Sequence, residues 1–76
     1  MSLVMWDRIH RLQIAIPLEV KDSPRGRESL DEEFERITGK ECDSAARQLN
    51  DQDFRQAMQR AIAQLQKKKK RIEIAA

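Results

Sequence analysis

The feature that most constrains the fold of this chain is an alternating run between Leu12 and Val20. Apolar side chains occupy every second position of the run, and mostly small or polar residues lie between them. A period of two is typical of a β-strand with one buried face. Pro17 cannot donate a backbone hydrogen bond, so we expect this strand at a sheet edge or with a bulge. The run predicts an N-terminal strand over residues 11–20.

The same part of the chain also permits a helix. Met5, Ile9, Leu12 and Ile16 are three or four residues apart, which would place them on one side of a helix that ends before Pro17. The alternative fold class is therefore an all-α helical hairpin or bundle.

A loop and then a helix are predicted to follow the strand-bearing segment, residues 1–20. Turn-forming residues cluster at positions 21–28 and predict a loop there. Ser29 is placed to cap a helix, and Gly39 can end it in a left-handed conformation. The pattern predicts a helix over residues 29–39.

A second helical segment is predicted over residues 43–71, where apolar residues recur at helical spacing. Asn50 offers a new N-cap within it, so the segment is either one bent helix or two. In the tail, residues 72–76, Ile72 and Ile74 fit either a short edge strand or more helix. The predicted fold is a small α+β domain spanning residues 1–76, with an N-terminal strand, two or three helices and a possible C-terminal edge strand.

The small size of the chain predicts a homodimer. A domain of 76 residues buries only about 60% of its unfolded surface, and such domains usually rely on disulfides, a metal or a second copy. Cys42 is the only cysteine and His10 the only histidine, which excludes an intrachain disulfide and an ordinary Cys/His zinc site. We expect no cofactor, and an N-terminal strand that pairs with its copy.

Composition also predicts a cytoplasmic, soluble protein without a membrane partner. A lone cysteine fits a reducing compartment. The apolar opening stops at Asp7, which is too early for a signal peptide, and no stretch approaches the length of a membrane helix.

The net charge is only +2, but acidic and basic residues are concentrated in different parts of the chain. Residues 28–53 contain nine acids and three bases, whereas residues 54–76 contain seven bases and one acid. Such polarity favours charge-complementary docking, with an aromatic side chain, Trp6 above all or else Phe34 or Phe54, as the anchor. We therefore predict a non-enzymatic protein–protein interaction or regulatory protein that acts as a homo-oligomer with an unidentified protein partner. Its predicted acidic residues are Asp31, Glu32, Glu33 and Glu35, and its predicted basic residues are Lys67, Lys68, Lys69, Lys70 and Arg71.

The alternative function is nucleic-acid binding. A strand over Arg11 to Val20 that contains Pro17, followed by two helices, resembles the ribbon-helix-helix family of dimeric DNA-binding proteins, in which paired strands enter the major groove. The resemblance implies a DNA-binding role for the exposed strand residues Arg11 and Gln13, and the lysine tract that begins at Lys67 would add phosphate contacts.

An enzymatic role is not expected. Asp7 and His10 are the only acid and histidine close together, and no nucleophile or glycine-rich phosphate loop accompanies them.

Overall fold

In a computed structural model, the backbone is described for residues 3–75 and the side chains for residues 3–68. Over this part of the chain the protein is all-α, with five helices and no strand. The predicted α+β fold is therefore wrong, and the all-α alternative gives the correct class. The helices are α1 (Leu3–Arg11), α2 (Leu18–Lys21), α3 (Pro24–Thr38), α4 (Cys42–Gln48) and α5 (Asp51–Ala75).

The predicted strand at 11–20 is replaced by the end of α1, a loop and the single turn of α2. Gln13 has a left-handed backbone, with φ of 56°. The amide of Gln13 donates to the His10 carbonyl, and the amide of Ile14 donates to the Ile9 carbonyl, both at 3.1 Å. This pair of bonds is a Schellman motif, in which the residues after a helix satisfy its last carbonyls. The backbone of residues 11–14 is therefore turned and cannot pair as a β-strand.

α2 begins directly after Pro17. The Pro17 carbonyl accepts hydrogen bonds from the amides of Val20 and Lys21, each at 3.0 Å. A proline fits the start of a helix because its missing amide is not needed there. The alternation of apolar residues thus ends in a helical turn, in which Val20 alone is buried.

The predicted C-terminal edge strand is also wrong. The backbone of Ile72 and Ile74 belongs to α5, which continues to Ala75. Its 25 residues correspond to about 37 Å at the usual helical rise, and the molecule measures 40 Å along its longest axis. α5 therefore sets the length of the molecule.

α3 begins earlier than the sequence pattern predicts. Ser23 is its N-cap, and the hydroxyl oxygen accepts from the Gly26 amide at 3.2 Å. The helix therefore includes Ser29 and five of the eight residues, 24–28, of the segment predicted as a loop. Its predicted end is confirmed, since Gly39 terminates it with φ of 69°.

The second helical segment consists of two helices. α4 ends at Gln48, and the side-chain oxygen of Asn50 then accepts from the Asp53 amide at 2.8 Å. Asn50 therefore acts as the N-cap of α5, as predicted. The short interruption lets α5 leave in a new direction and pack along α3.

One apolar core connects all five helices. Phe34 and Phe54 lie at its centre, fully buried, with ring centroids 5.5 Å apart. They hold α3 against α5 and are not accessible to a partner. The buried apolar residues are Met5, Ile9, Ile14, Val20, Leu30, Phe34, Cys42, Ala45, Ala46, Phe54, Ala57, Met58 and Ala61.

Candidate functional site

Three of the four acidic residues predicted to meet a partner are wholly or partly covered by their own chain. Glu33 is buried, Asp31 and Glu35 are half-buried, and Glu32 is exposed. One carboxylate oxygen of Glu35 accepts from the Cys42 amide at 3.3 Å, which supplies α4 with a hydrogen-bond acceptor at its first turn. These carboxylates contribute more to the fold than to the molecular surface.

The buried carboxylate of Glu33 forms an ion-pair cluster with two cations that are each more than half exposed. One of its oxygens accepts from the Arg36 guanidinium and the other from the Lys68 ammonium. The hydrogen bond from Lys68, helped by that from Arg36, holds the pKa of Glu33 below its usual value, although burial alone would raise the pKa. The structure thus joins two oppositely charged residues predicted for docking, and joins them within one molecule.

The predicted basic residues occupy separate parts of the molecule. Arg11 and Gln13 are exposed at the end of α1, whereas Lys67 and Lys68 are exposed on α5. Because residues 11–20 do not form a strand, Arg11 and Gln13 are not presented as they would be in a ribbon-helix-helix protein. The side chains of Lys69, Lys70 and Arg71 lie outside the described residues.

Trp6, the predicted anchor, lies at a cleft between α1 and α2. The tryptophan is half-buried, and the cleft beside it has a volume of about 380 Å³. Five of its eight lining residues are apolar, and the others are a histidine, a glutamine and a lysine, with no acidic residue. The lining residues are Trp6, Ile9, His10, Gln13, Ile14, Ala15, Ile16 and Lys21.

The turn at the end of α1 creates this cleft. The left-handed conformation of Gln13 reverses the chain and returns Ile14 to Ile9, so that both side chains are buried. Pro17 then starts α2, whose Lys21 forms the far wall. The local conformations that replace the predicted strand therefore also build the candidate site.

Two exposed leucines belong to the two helices that flank the cleft. Leu3 is 88% exposed and Leu18 is 69% exposed. Leu3 lies on the same side of α1 as Trp6 and His10, at positions i, i+3 and i+7. Leu18 lies three residues before Lys21 in α2, which places the two on the same side of that turn. A half-buried tryptophan is the feature here that favours a protein-binding surface, because tryptophan is enriched at interface hot spots.

Arg8 fixes the α1 wall of the cleft to the rest of the molecule. It is only 7% exposed, and its guanidinium donates to the Ala46 carbonyl at 2.5 Å and to the Asp51 carboxylate at 3.0 Å. The same group lies 4.8 Å from the centre of the Phe54 ring, within reach of a cation–π contact. Arg8 thereby connects α1 to both α4 and α5.

Sequence reasoning missed Arg8 and most of the cleft. The spacing of Met5, Arg8 and Ile9 at i, i+3 and i+4 was a signal that Arg8 faces the core, because these positions share one side of a helix. Ile16 and Lys21 gave no comparable signal. Their place at the cleft depends on the turn at Gln13.

The described part of the chain shows no metal site, no exposed thiol and no helix able to span a membrane. Residues 3–68 contain no group of three or more side chains able to hold a metal ion, and the Cys42 thiol is buried. None of the helices in that part is long and apolar enough to cross a membrane.

Comparison of the chain with protein-family models, curated proteins and solved structures finds no match.

Proposed function

We propose that this protein is a small, non-enzymatic interaction module that acts as a homodimer. Its docking surface is the Trp6 cleft with its two exposed leucines. The observation that carries the proposal is the exposure of Leu3 and Leu18 on the two helices that flank that cleft. Withdrawal of such side chains from water is worth about 25 cal/mol per Å² of apolar surface.

Charge supports a second copy as the occupant. The cleft contains His10 and Lys21, and Asp7 is exposed one residue along from Trp6 on α1. In a two-fold dimer the same patch meets itself. Asp7 of each copy can then face a cation of the other, while Trp6 and the leucines form the apolar centre.

This arrangement keeps the predicted homodimer and its charge-complementary docking but changes the residues involved. Glu33 and Lys68 pair within the molecule, and the proposed interface uses neither the acidic residues of α3 nor the lysine tract. A further protein partner would bind the dimer on surfaces outside the Trp6 cleft.

The test is sedimentation equilibrium of the complete chain from about 1 to 500 μM. We expect a monomer–dimer equilibrium, and Leu18→Glu should weaken it at least 30-fold because each interface would bury two carboxylates. Ala63→Glu places the same charge on the exposed side of α5 and should leave the equilibrium unchanged.

Trp6 provides an independent reading because it is the only tryptophan. Its emission should shift to shorter wavelength, and its quenching by acrylamide should fall, over the concentrations at which the dimer forms. A chain that stays monomeric throughout, or a dimer that Leu18→Glu leaves intact, would show that this surface is not the interface.

A further inference from the structure

The exposed side of α5 is a second surface, apart from the Trp6 cleft, that the packing of the helices leaves uncovered. Between Phe54 and Ile72 the sequence contains no acidic residue. The buried side chains of α5 point towards α3, and from Arg55 to Lys68 the opposite side of the helix carries only basic, amide and small side chains. The exposed acids Asp51 and Asp53 precede this stretch in the first turn of α5. Its exposed residues are Arg55, Gln56, Gln59, Arg60, Ala63, Gln64, Gln66 and Lys67.

Helical geometry arranges these residues as one surface. At 100° per residue, Ala63 lies near its middle, with Gln59 and Gln66 to one side and Arg60 and Lys67 to the other. The stretch from Arg55 to Lys67 is about 18 Å long. A small residue at the centre lets another molecule approach the helix closely.

Some of the cations of α5 form hydrogen bonds or ion pairs with other parts of the same chain. Lys68 binds the buried Glu33, and Arg55 donates to the Leu12 carbonyl at 2.9 Å. Arg60 and Lys67 are exposed and lie seven residues, or two turns, apart on the same side. These two side chains are placed to meet a polyanion whose charges repeat along its length.

We propose that this side of α5 is a binding surface for duplex DNA, with the helix in the major groove. Arg60 and Lys67 would contact phosphates, and the glutamines would face the base edges, where amide side chains can bond adenine. The major groove of B-form DNA is about 12 Å wide and admits a helix, whereas the major groove of duplex RNA is too deep and narrow. The proposal goes beyond the interaction module and involves none of the residues of the Trp6 cleft.

The experiment is a fluorescence anisotropy titration of a fluorescein-labelled, mixed-sequence 20-base-pair DNA duplex with the complete protein at 50 and 200 mM salt. Each phosphate contact contributes about 0.9 to the slope of log K against log salt. Loss of two contacts in Arg60→Gln/Lys67→Gln should therefore reduce the change in Kd between the two salts by about 12-fold, and should weaken binding at least tenfold at 50 mM.

The matched control is Arg25→Gln/Lys40→Gln, which removes the same net charge from exposed positions outside α5 and should retain most of the affinity. Ala63→Glu, which adds a carboxylate at the centre of the surface, should abolish binding while the urea midpoint stays within error of the parent. The proposal is overturned by a parent protein that does not bind at 50 mM salt, by equal losses in the two double variants, or by binding of the same sequence as duplex RNA or single strand at least as tightly.

Discussion

At the scale of single residues, Gln13 is the position that decides the N-terminal half of the molecule. Its left-handed backbone, with φ of 56°, ends α1 and turns the chain towards α2. In this conformation a side chain costs about 1–2 kcal/mol, whereas glycine has no such cost.

Gln13→Gly should therefore stabilise the protein. The greater freedom of glycine in the unfolded chain cancels part of the gain, so we expect an increase of about 0.5–1 kcal/mol in the free energy of unfolding. Urea titration followed by circular dichroism would measure it.

Gln59 supplies the control because it is an exposed glutamine inside α5. Gln59→Gly should destabilise by about 1 kcal/mol, since glycine is unfavourable in a helix interior. A gain in the free energy of unfolding at Gln13 and a loss at Gln59 would verify the left-handed conformation of Gln13. A loss at both positions would contradict it.

At the scale of elements, the contact between α2 and α3 depends on Gly26. A Cβ at this position would lie 2.8 Å from both the Cα and the carbonyl oxygen of Val20, and 3.1 Å from the carbonyl oxygen of Glu19. These are backbone atoms of a tight turn and cannot move aside as a flexible side chain would.

Gly26→Ala should destabilise the protein by about 1–3 kcal/mol, as overpacking typically does. The sign is diagnostic, because alanine is otherwise favoured over glycine in a helix by about 1 kcal/mol. Thermal or urea denaturation would measure the change.

Arg25→Ala, at the neighbouring exposed position of α3, should change stability by less than about 0.5 kcal/mol. Gly26→Ala with stability equal to or above the parent would mean that α2 does not pack against the start of α3.

At the scale of the whole molecule, the Glu33 cluster connects the middle of α3 to the distant end of α5. The hydrogen bond from Lys68, followed by that from Arg36, holds the pKa of the Glu33 carboxyl below its ordinary value of 4.5. A depressed pKa in the folded state means that the carboxylate stabilises the fold at pH values above 4.5, and that this stabilisation is lost as pH falls through the lower folded-state pKa.

Glu33→Gln should therefore reduce the free energy of unfolding by about 1–2 kcal/mol at pH 7. Hydrogen bonds to charged groups contribute about 1.5–3 kcal/mol, and solvent screening of the two exposed cations lowers this value. The difference from the parent should narrow below about pH 4.5, because the parent carboxyl then becomes neutral as well. Urea titrations from pH 7 to pH 3 would follow the difference.

Glu32→Gln is the matched control because Glu32 is the exposed neighbour of Glu33. It should change stability little, and its difference from the parent should not follow the same pH course. A constant difference between Glu33→Gln and the parent at every pH would contradict the ion-pair cluster.

Several parts of the fold could be predicted from the sequence because their signals are local. Gly39 ends α3 and Asn50 begins α5, as predicted from the chemistry of these residues at helix ends. Trp6 was singled out as an anchor and does lie at the cleft, half-buried; whether it binds a partner stays a prediction. Each of these inferences needed only a residue and its neighbours within a few positions.

The sequence by itself determined where α3 ends and where α5 begins, because a cap bonds to amides only a few residues away. Only the tertiary structure decided the conformation of residues 11–20 and the partner of Glu33. The alternation from Leu12 to Val20 fits a strand, but burial of Ile14 and Val20 against the helices favoured a turn and a short helix instead. Glu33 and Lys68 are 35 residues apart, so their pairing depends on how α3 and α5 meet, which no local pattern encodes.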